Sequence, residues 1–343
     1  MAGLFIWAGA LDFRAGRIAL WLTLATWAIY VLLIRRSFAT RKSLATSLAG
    51  AGIEMNGFSE IDWSRALTAW PWRVPRHVER LAGLEYAPGL ELDIYRAKGR
   101  EHNGAPMLLQ VHGGGWRGGN RRQQARPLMD RLAERGWVCA AITYPLSPDA
   151  TFPEHLIAVK QAIAWLKREA TWLGGDPESL VVTGGSAGGH LAALAALTPH
   201  DKGYQPGFED ADTSVAAAVS LYGIYDFVNR NGTRDDWALI PSIVMKAAVA
   251  DAPDAYRAAS PIDRITPGAP PWLVIHGDQD AVVPPHESRQ FAEMLAATSE
   301  SVTVYAELPG ATHTFDIVHS IRSHITISAI ARFGEHVTGH DAG

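Results

Sequence analysis

Cysteine is almost missing from this 343-residue chain. Cys139 is the single one, so no disulfide closes within the chain, and its place in an apolar run reads as buried filler. An excess of charge of one sign is also missing. The 31 Lys and Arg against 35 Asp and Glu leave a formal net charge of −4, spread without a basic face, which argues against nucleic acid as a partner. No metal site is expected from the histidines, and no internal repeat or low-complexity tract marks a solenoid or a disordered tail. The glycine-rich stretch near residue 113 lacks the following Lys-Ser/Thr pair of a phosphate loop. No cofactor is expected.

Charge is locally absent in one place that matters. Ile18 to Ile34 is an uncharged run of 17 residues containing Trp21, Trp27 and Tyr30, at the short limit for a bilayer span. Arg14 and Arg17 precede it; Arg35, Arg36, Arg41 and Lys42 follow. A cleaved signal peptide ends in small residues, whereas this run meets Arg35-Arg36 at once, so an uncleaved single-pass anchor in a lipid bilayer is expected. The heavier positive charge after the run places the remainder of the chain on the cytoplasmic side. Met1 to Leu11 is apolar too, but too short to span alone. The expected organisation is an anchor over 1–42, a linker or cap over 43–76 with a Trp70-Pro71-Trp72 break, and one α/β domain over 77–343. Tyr222 to Pro261, with Trp237, Leu239, Ile240, Ile243 and Val244, is a second cap candidate. Oligomeric state is not legible.

Beyond residue 77, apolar runs alternate with amphipathic ones. Strands are expected at Leu90–Arg96, Met107–Val111, Trp137–Thr143, Leu180–Thr183, Ala216–Leu221, Trp272–Ile275 and Val302–Leu308. Helices are expected at Arg121–Arg135, His155–Leu173, Ala187–Leu197 and His286–Ala297. Strands apolar throughout and separated by helices imply a mostly parallel sheet covered on both faces.

Four strand ends carry chemistry. Gly184-Gly185-Ser186-Ala187-Gly188 joins a β-branched run to a helix-forming one. A strand turning directly into a helix strains the corner residue and tolerates only small neighbours, which lifts the Ser186 hydroxyl above the sheet as a nucleophile. It also leaves the Ala187 amide at a helix N-terminus, where developing negative charge is favoured. Met107–Val111 runs into His112-Gly113-Gly114-Gly115-Trp116, whose backbone amides suit an oxyanion; Gly113 and Gly114 are the donor candidates beside Ala187. Trp272–Gly277 opens into Asp278-Gln279-Asp280, and Val302–Leu308 leads to His313. Nucleophile, acid, base is the chain order of the α/β-hydrolase triad.

In these motifs the chain resembles the carboxylesterases and lipases related to hormone-sensitive lipase, marked by an HGGGW oxyanion loop, a GxSAGG elbow, an HGxxDxxVP acid loop and a late G-x-x-H. Tyr144 to Asp149, Phe152-Pro153 and Ala164-Trp165-Leu166 extend the likeness, which covers most of Leu81 to Phe333. It implies an α/β-hydrolase fold and a serine carboxylesterase of uncharged acyl esters. Register from His276-Gly277 then puts the triad acid at Asp280, with Asp278 the fallback as a turn residue. His112 is expected to hold the oxyanion loop by hydrogen bonds. Two departures stand out: Gly185 occupies a position where many members carry Asp, and Ala158 replaces an acid. An amidase or formamidase on the same fold is the alternative activity, and a non-catalytic receptor a remoter one.

Overall fold

The computed structural model describes residues 7, 9–55, 61–68, 74–99, 103–234 and 238–340. Trp70 to Trp72, Trp237, and Met1 to Ile6 of the N-terminal apolar stretch lie outside the described residues.

Eight strands form one sheet among the described residues: β1 Val78–Ala87, β2 Leu90–Ala97, β3 Ala105–Val111, β4 Val138–Ile142, β5 Gly175–Gly185, β6 Ala217–Leu221, β7 Trp272–Gly277 and β8 Thr303–Leu308. Their spatial order is β1-β2-β4-β3-β5-β6-β7-β8, with only the β1/β2 and β2/β4 pairs antiparallel. This is the α/β-hydrolase fold. Strand β1 was not among the expected strands. It is an edge strand whose Glu79, Arg80 and Glu85 hide the alternation, and it turns into β2 through Gly89 in the left-handed region.

The helices are α1 Arg14–Ala49, α2 Trp63–Thr68, α3 Arg126–Glu134, α4 Glu154–Leu173, α5 Ala187–Leu197, α6 Pro253–Ala258, α7 Pro285–Thr298 and α8 Ile321–Thr338. Two apolar clusters cover the two sheet faces. One joins α4 and α5 to Leu109, Val182 and Val274; the other joins α3, α8 and the end of α1 to Leu108, Val181 and Leu273. Alternate strand residues feed opposite clusters, as the pleat requires. Helix α3 begins five residues later than expected, because Arg121 and Arg122 are held by Asp93 and Ala125 adopts a left-handed backbone at the cap.

Helix α1 is continuous for 36 residues, about 54 Å at 1.5 Å per residue, and runs through the expected boundary at residue 42. Its first half touches no core: Trp21 is 72% exposed and Leu32 58%. Its last turns present Thr40, Leu44 and Leu48 on one stripe against β8 and α8, where all three are fully buried. Ser43 Oγ donates to the Glu307 carbonyl at 2.6 Å, and Arg322 Nε to Thr40 Oγ1 at 3.3 Å.

Candidate active site

Strand β5 ends and α5 begins at Ser186, with no connecting loop. The serine sits at φ 58°, ψ −124°, a region L-residues avoid, and two hydrogen bonds hold it there. Its N–H donates to the Leu221 carbonyl at 3.0 Å and its carbonyl accepts from His190 N at 3.0 Å. The corner closes only without side chains: a Cβ on Gly188 would lie 2.1 Å from the Val111 oxygen, and one on Gly184 2.3 Å from the Gly188 oxygen. Every residue of α5 is buried, whereas Ser186 keeps partial exposure.

At the end of β7, Asp280 is buried and receives four hydrogen bonds. His313 Nδ1 lies 2.6 Å from its Oδ2 and His276 Nε2 3.1 Å from the same oxygen; the Val282 and Val283 amides donate to Oδ1 at 2.8 and 3.0 Å. Burial alone would raise its pKa. The bonds from His276, His313 and the Val283 amide outweigh burial and hold the carboxyl well below the usual carboxylate range. Asp278 does something else: its Oδ1 accepts from Gly310 N at 2.6 Å, bracing the loop that carries His313. The second imidazole on Asp280 was not foreseen. His276 is the penultimate residue of β7, and its bond to a residue four positions on depends on the tight reversal in which Asp280 N donates to the Gly277 carbonyl.

One aromatic ring links serine and histidine sides. Tyr222 is buried, its centroid 4.6 Å from that of His313, and its hydroxyl donates to Asp316. Burial raises the Tyr222 pKa far above its ordinary value, so the phenol stays protonated. A Cβ on Gly185 would fall 2.6 Å from the Tyr222 hydroxyl oxygen and 2.8 Å from its ring carbons. This accounts for the departure at position 185: the ring fills the space that an aspartate would need.

In the loop after β3 the peptide planes are pinned. Tyr144 hydroxyl donates to the His112 carbonyl at 2.9 Å. His112 Nδ1 lies 2.8 Å from the Gly113 carbonyl, which only accepts, so Nδ1 carries the proton and the Gly113–Gly114 peptide is oriented. Burial lowers the His112 pKa against the raising effect of that bond, keeping the ring neutral. Gly114 adopts φ +120°, and a Cβ there would lie 2.3 Å from the Gly118 oxygen. Gly113 abuts Ser186, its would-be Cβ 3.2 Å from Ser186 Cβ. Its N–H, however, already donates to Gln124 Oε1 at 2.6 Å. Gln124 escapes sequence reasoning because nothing local distinguishes it from Gln123.

The segment from Tyr222 to Pro261 contributes Leu239, whose Cδ2 lies 3.1 Å from the Cβ position of Gly115, while Ile240 and Val244 are buried in the core.

A family model described as BD-FAE matches residues 92–295, from β2 through most of α7. The chain belongs to this family of α/β-hydrolases. It is 40% identical over 97% of its length to the probable carboxylic ester hydrolase LipM of Mycobacterium tuberculosis, of which it spans 81%. It is 42% identical over 75% of its length to esterase LipQ of the same organism, of which it spans 62%. Among solved structures, the propionate-bound Est2 esterase of Thermogutta terrifontis matches with a TM-score of 0.64 at 25% identity, covering 78% of this chain and 97% of that one. The matched BD-FAE region contains Ser186 and Asp280; His313 lies beyond it.

Proposed function

We propose that this BD-FAE member, an ester hydrolase by family, is a serine carboxylesterase of uncharged acyl esters working through Ser186, His313 and Asp280. The carrying observation is the 2.6 Å bond between His313 Nδ1 and a buried, ionised Asp280, taken together with a serine strained at a strand-to-helix corner. Asp280 accepts a hydrogen bond from Nδ1–H and fixes the tautomer, which leaves Nε2 to take the Ser186 proton. Ser186 Oγ attacks the ester carbonyl, the tetrahedral oxyanion is held by the Gly114 and Ala187 amides, and Gly113 completes the set once Gln124 releases it. His313 passes the proton to the departing alkoxide. Water, deprotonated by the same histidine, then cleaves the acyl-enzyme and frees the acid and Ser186. The names of LipM and LipQ support the ester class.

A panel of esters and amides of graded acyl length tests this reading. Ester turnover with covalent labelling of Ser186 by a phosphonate ester is expected. Faster turnover of amides would move the assignment to an amidase on the same scaffold.

The exposed apolar half of α1 acts in this reading as a single-pass membrane anchor, with the catalytic domain on the cytoplasmic side. The helix is long and apolar enough to cross a bilayer, and basic residues flank the apolar run. Residues 43–76 and 222–261 are the cap candidates, Leu239 beside Gly115 favouring the second.

A further inference from the structure

Helix α1 and the loop that carries His313 are in direct contact. Arg36 lies two residues beyond the end of the apolar run, about 3 Å along the helix. Its Cδ is 3.1 Å and its Cβ 3.5 Å from the Cβ position of Gly310. Gly310 precedes His313 by three residues, a path of at most about 11 Å. Arg322 ties the same two elements, donating from Nε to Thr40 Oγ1 at 3.3 Å and from Nη2 to the Pro309 carbonyl at 2.9 Å. Asp278, next but one to the triad acid, holds the Gly310 amide. Because α1 is unbroken from Arg14 to Ala49, no hinge separates the bilayer-length half from this contact.

Adding these steps places His313 within about 20 Å of the last apolar residue of the run. A folded domain of this size is about 45–50 Å across. The triad therefore lies in the membrane-proximal part of the molecule rather than at its far pole. Large apolar side chains stand exposed on the acid loop, after the histidine loop and on α1: Val282, two residues after Asp280, is 48% exposed; Val318, five after His313, is 49% exposed; Phe38 on α1 is 42% exposed and packs on Trp63, itself 50% exposed. Water-facing apolar groups on the acid loop, the histidine loop and the anchor fit a surface that meets headgroups and acyl chains.

We infer that the substrate is an acyl ester carried in the same bilayer that holds α1, drawn into a site kept at a fixed height above the membrane by the contact of Arg36 with the histidine loop and by Arg322, which bridges that loop to Thr40. The inference rests on the carboxylesterase reading and narrows it from esters in general to bilayer-borne amphiphilic ones.

The test uses full-length protein reconstituted in phosphatidylcholine–phosphatidylglycerol vesicles. A long-chain fluorogenic ester is embedded either in the same vesicles or in separate protein-free ones, and a short-chain soluble ester is measured in parallel. Same-vesicle ester should be hydrolysed on the order of tenfold faster than separate-vesicle ester, through effective concentration. Inserting about ten Gly and Ser residues between Ile34 and Arg35 gives roughly 15–20 Å of slack while keeping the anchor. That variant should lose most of the same-vesicle gain and keep the soluble-ester kcat/KM. Equal rates on the two vesicle populations, or protein that fails to bind vesicles, would overturn the inference. So would a gain untouched by the insertion, since tethering without fixed height would then suffice. Absence of turnover on every ester, the soluble one included, would instead sink the carboxylesterase reading.

Discussion

The carboxyl ends of β5 and β7 and the first half of α1 are opposite kinds of structure. At the strand ends each atom is placed by a neighbour: Ser186 between Leu221 and His190, Asp280 under four donors, Gly185 against a tyrosine ring. The first half of α1 owes nothing to the protein around it, standing as a helix with Trp21, Trp27 and Leu32 mostly exposed. The difference teaches where the determinants of each lie. The site is over-determined by close contacts, so single atoms matter there. The helix is determined by composition alone, so what matters is its total apolar area and the solvent that receives it.

Breaking the first half of that contrast should have the largest effect. Ser186→Ala is expected to lower kcat on the order of 10⁴ to 10⁶ while leaving circular dichroism and melting unchanged, and His313→Ala to do comparably. Retention of near-normal turnover by the serine variant would remove the proposed nucleophile. Asp280→Asn should lower kcat by roughly 10⁴, because the imidazole loses its enforced tautomer. Asp278→Asn, which loosens only the Gly310 amide, should cost about 1–2 kcal/mol of stability with a far smaller kinetic change. The reverse ranking would transfer the acid role to Asp278.

Packing and titration sharpen the comparison further. Gly185→Ala drives a methyl into Tyr222 and should destabilise the fold by about 1–3 kcal/mol in chemical denaturation. Gly268→Ala, where nothing lies within 4 Å of the new methyl, should stay within about 0.5 kcal/mol. Because the folded-state pKa of Asp280 is depressed, its contribution to stability is present above the unfolded value of about 3.9 and lost as pH falls through the folded one. The stability gap between the parent and Asp280→Asn should therefore be flat from about pH 5 to 8 and narrow below about pH 4. A gap that widened in acid would contradict the bonded, ionised carboxylate.

The smallest change is expected where the protein invests no contacts. Removing residues 1–34 should leave kcat/KM for a soluble short-chain ester within about threefold, since the docked stripe Thr40, Leu44 and Leu48 is retained. The full-length chain should instead sediment with membranes and resist carbonate extraction. A truncated form that is soluble but inactive would make the N-terminal half part of the active-site cover.

Much of this was legible in the residues because the relevant physics is local. Runs apolar throughout mark seven of the strands, β5 alone beginning as much as five residues earlier than expected, and α5 at its full extent, since helix-forming Ala and Leu dominate the run up to Leu197. The histidine and acid that meet at 2.6 Å are the two that motif register singled out. What escaped depends on approach between distant segments. Strand β1 is half exposed and charged, so its alternation vanishes until β2 is beside it. Gln124 matters only because clamping of Arg121 and Arg122 by Asp93 turns that loop back onto Gly113. The continuation of α1 past residue 42 shows no break in composition; it becomes meaningful only once β8 and α8 offer a surface to Leu44 and Leu48.

The ring of Tyr222 against Gly185 also constrains the path along which this gene can change. An acidic residue before Ser186, which the family resemblance implies at this position, has no room here while the tyrosine stands, and loss of the tyrosine first would strip Asp316 of its donor and His313 of the ring beside it. Either step alone passes through a damaged enzyme. The two positions are therefore expected to be inherited together, so that a lineage with glycine at 185 keeps it for as long as it keeps the aromatic residue at 222, and a switch to aspartate must be preceded by a smaller residue there. Ancestral reconstruction that found the aspartate and the tyrosine coexisting in one functional sequence would show that the backbone yields more than these contacts imply.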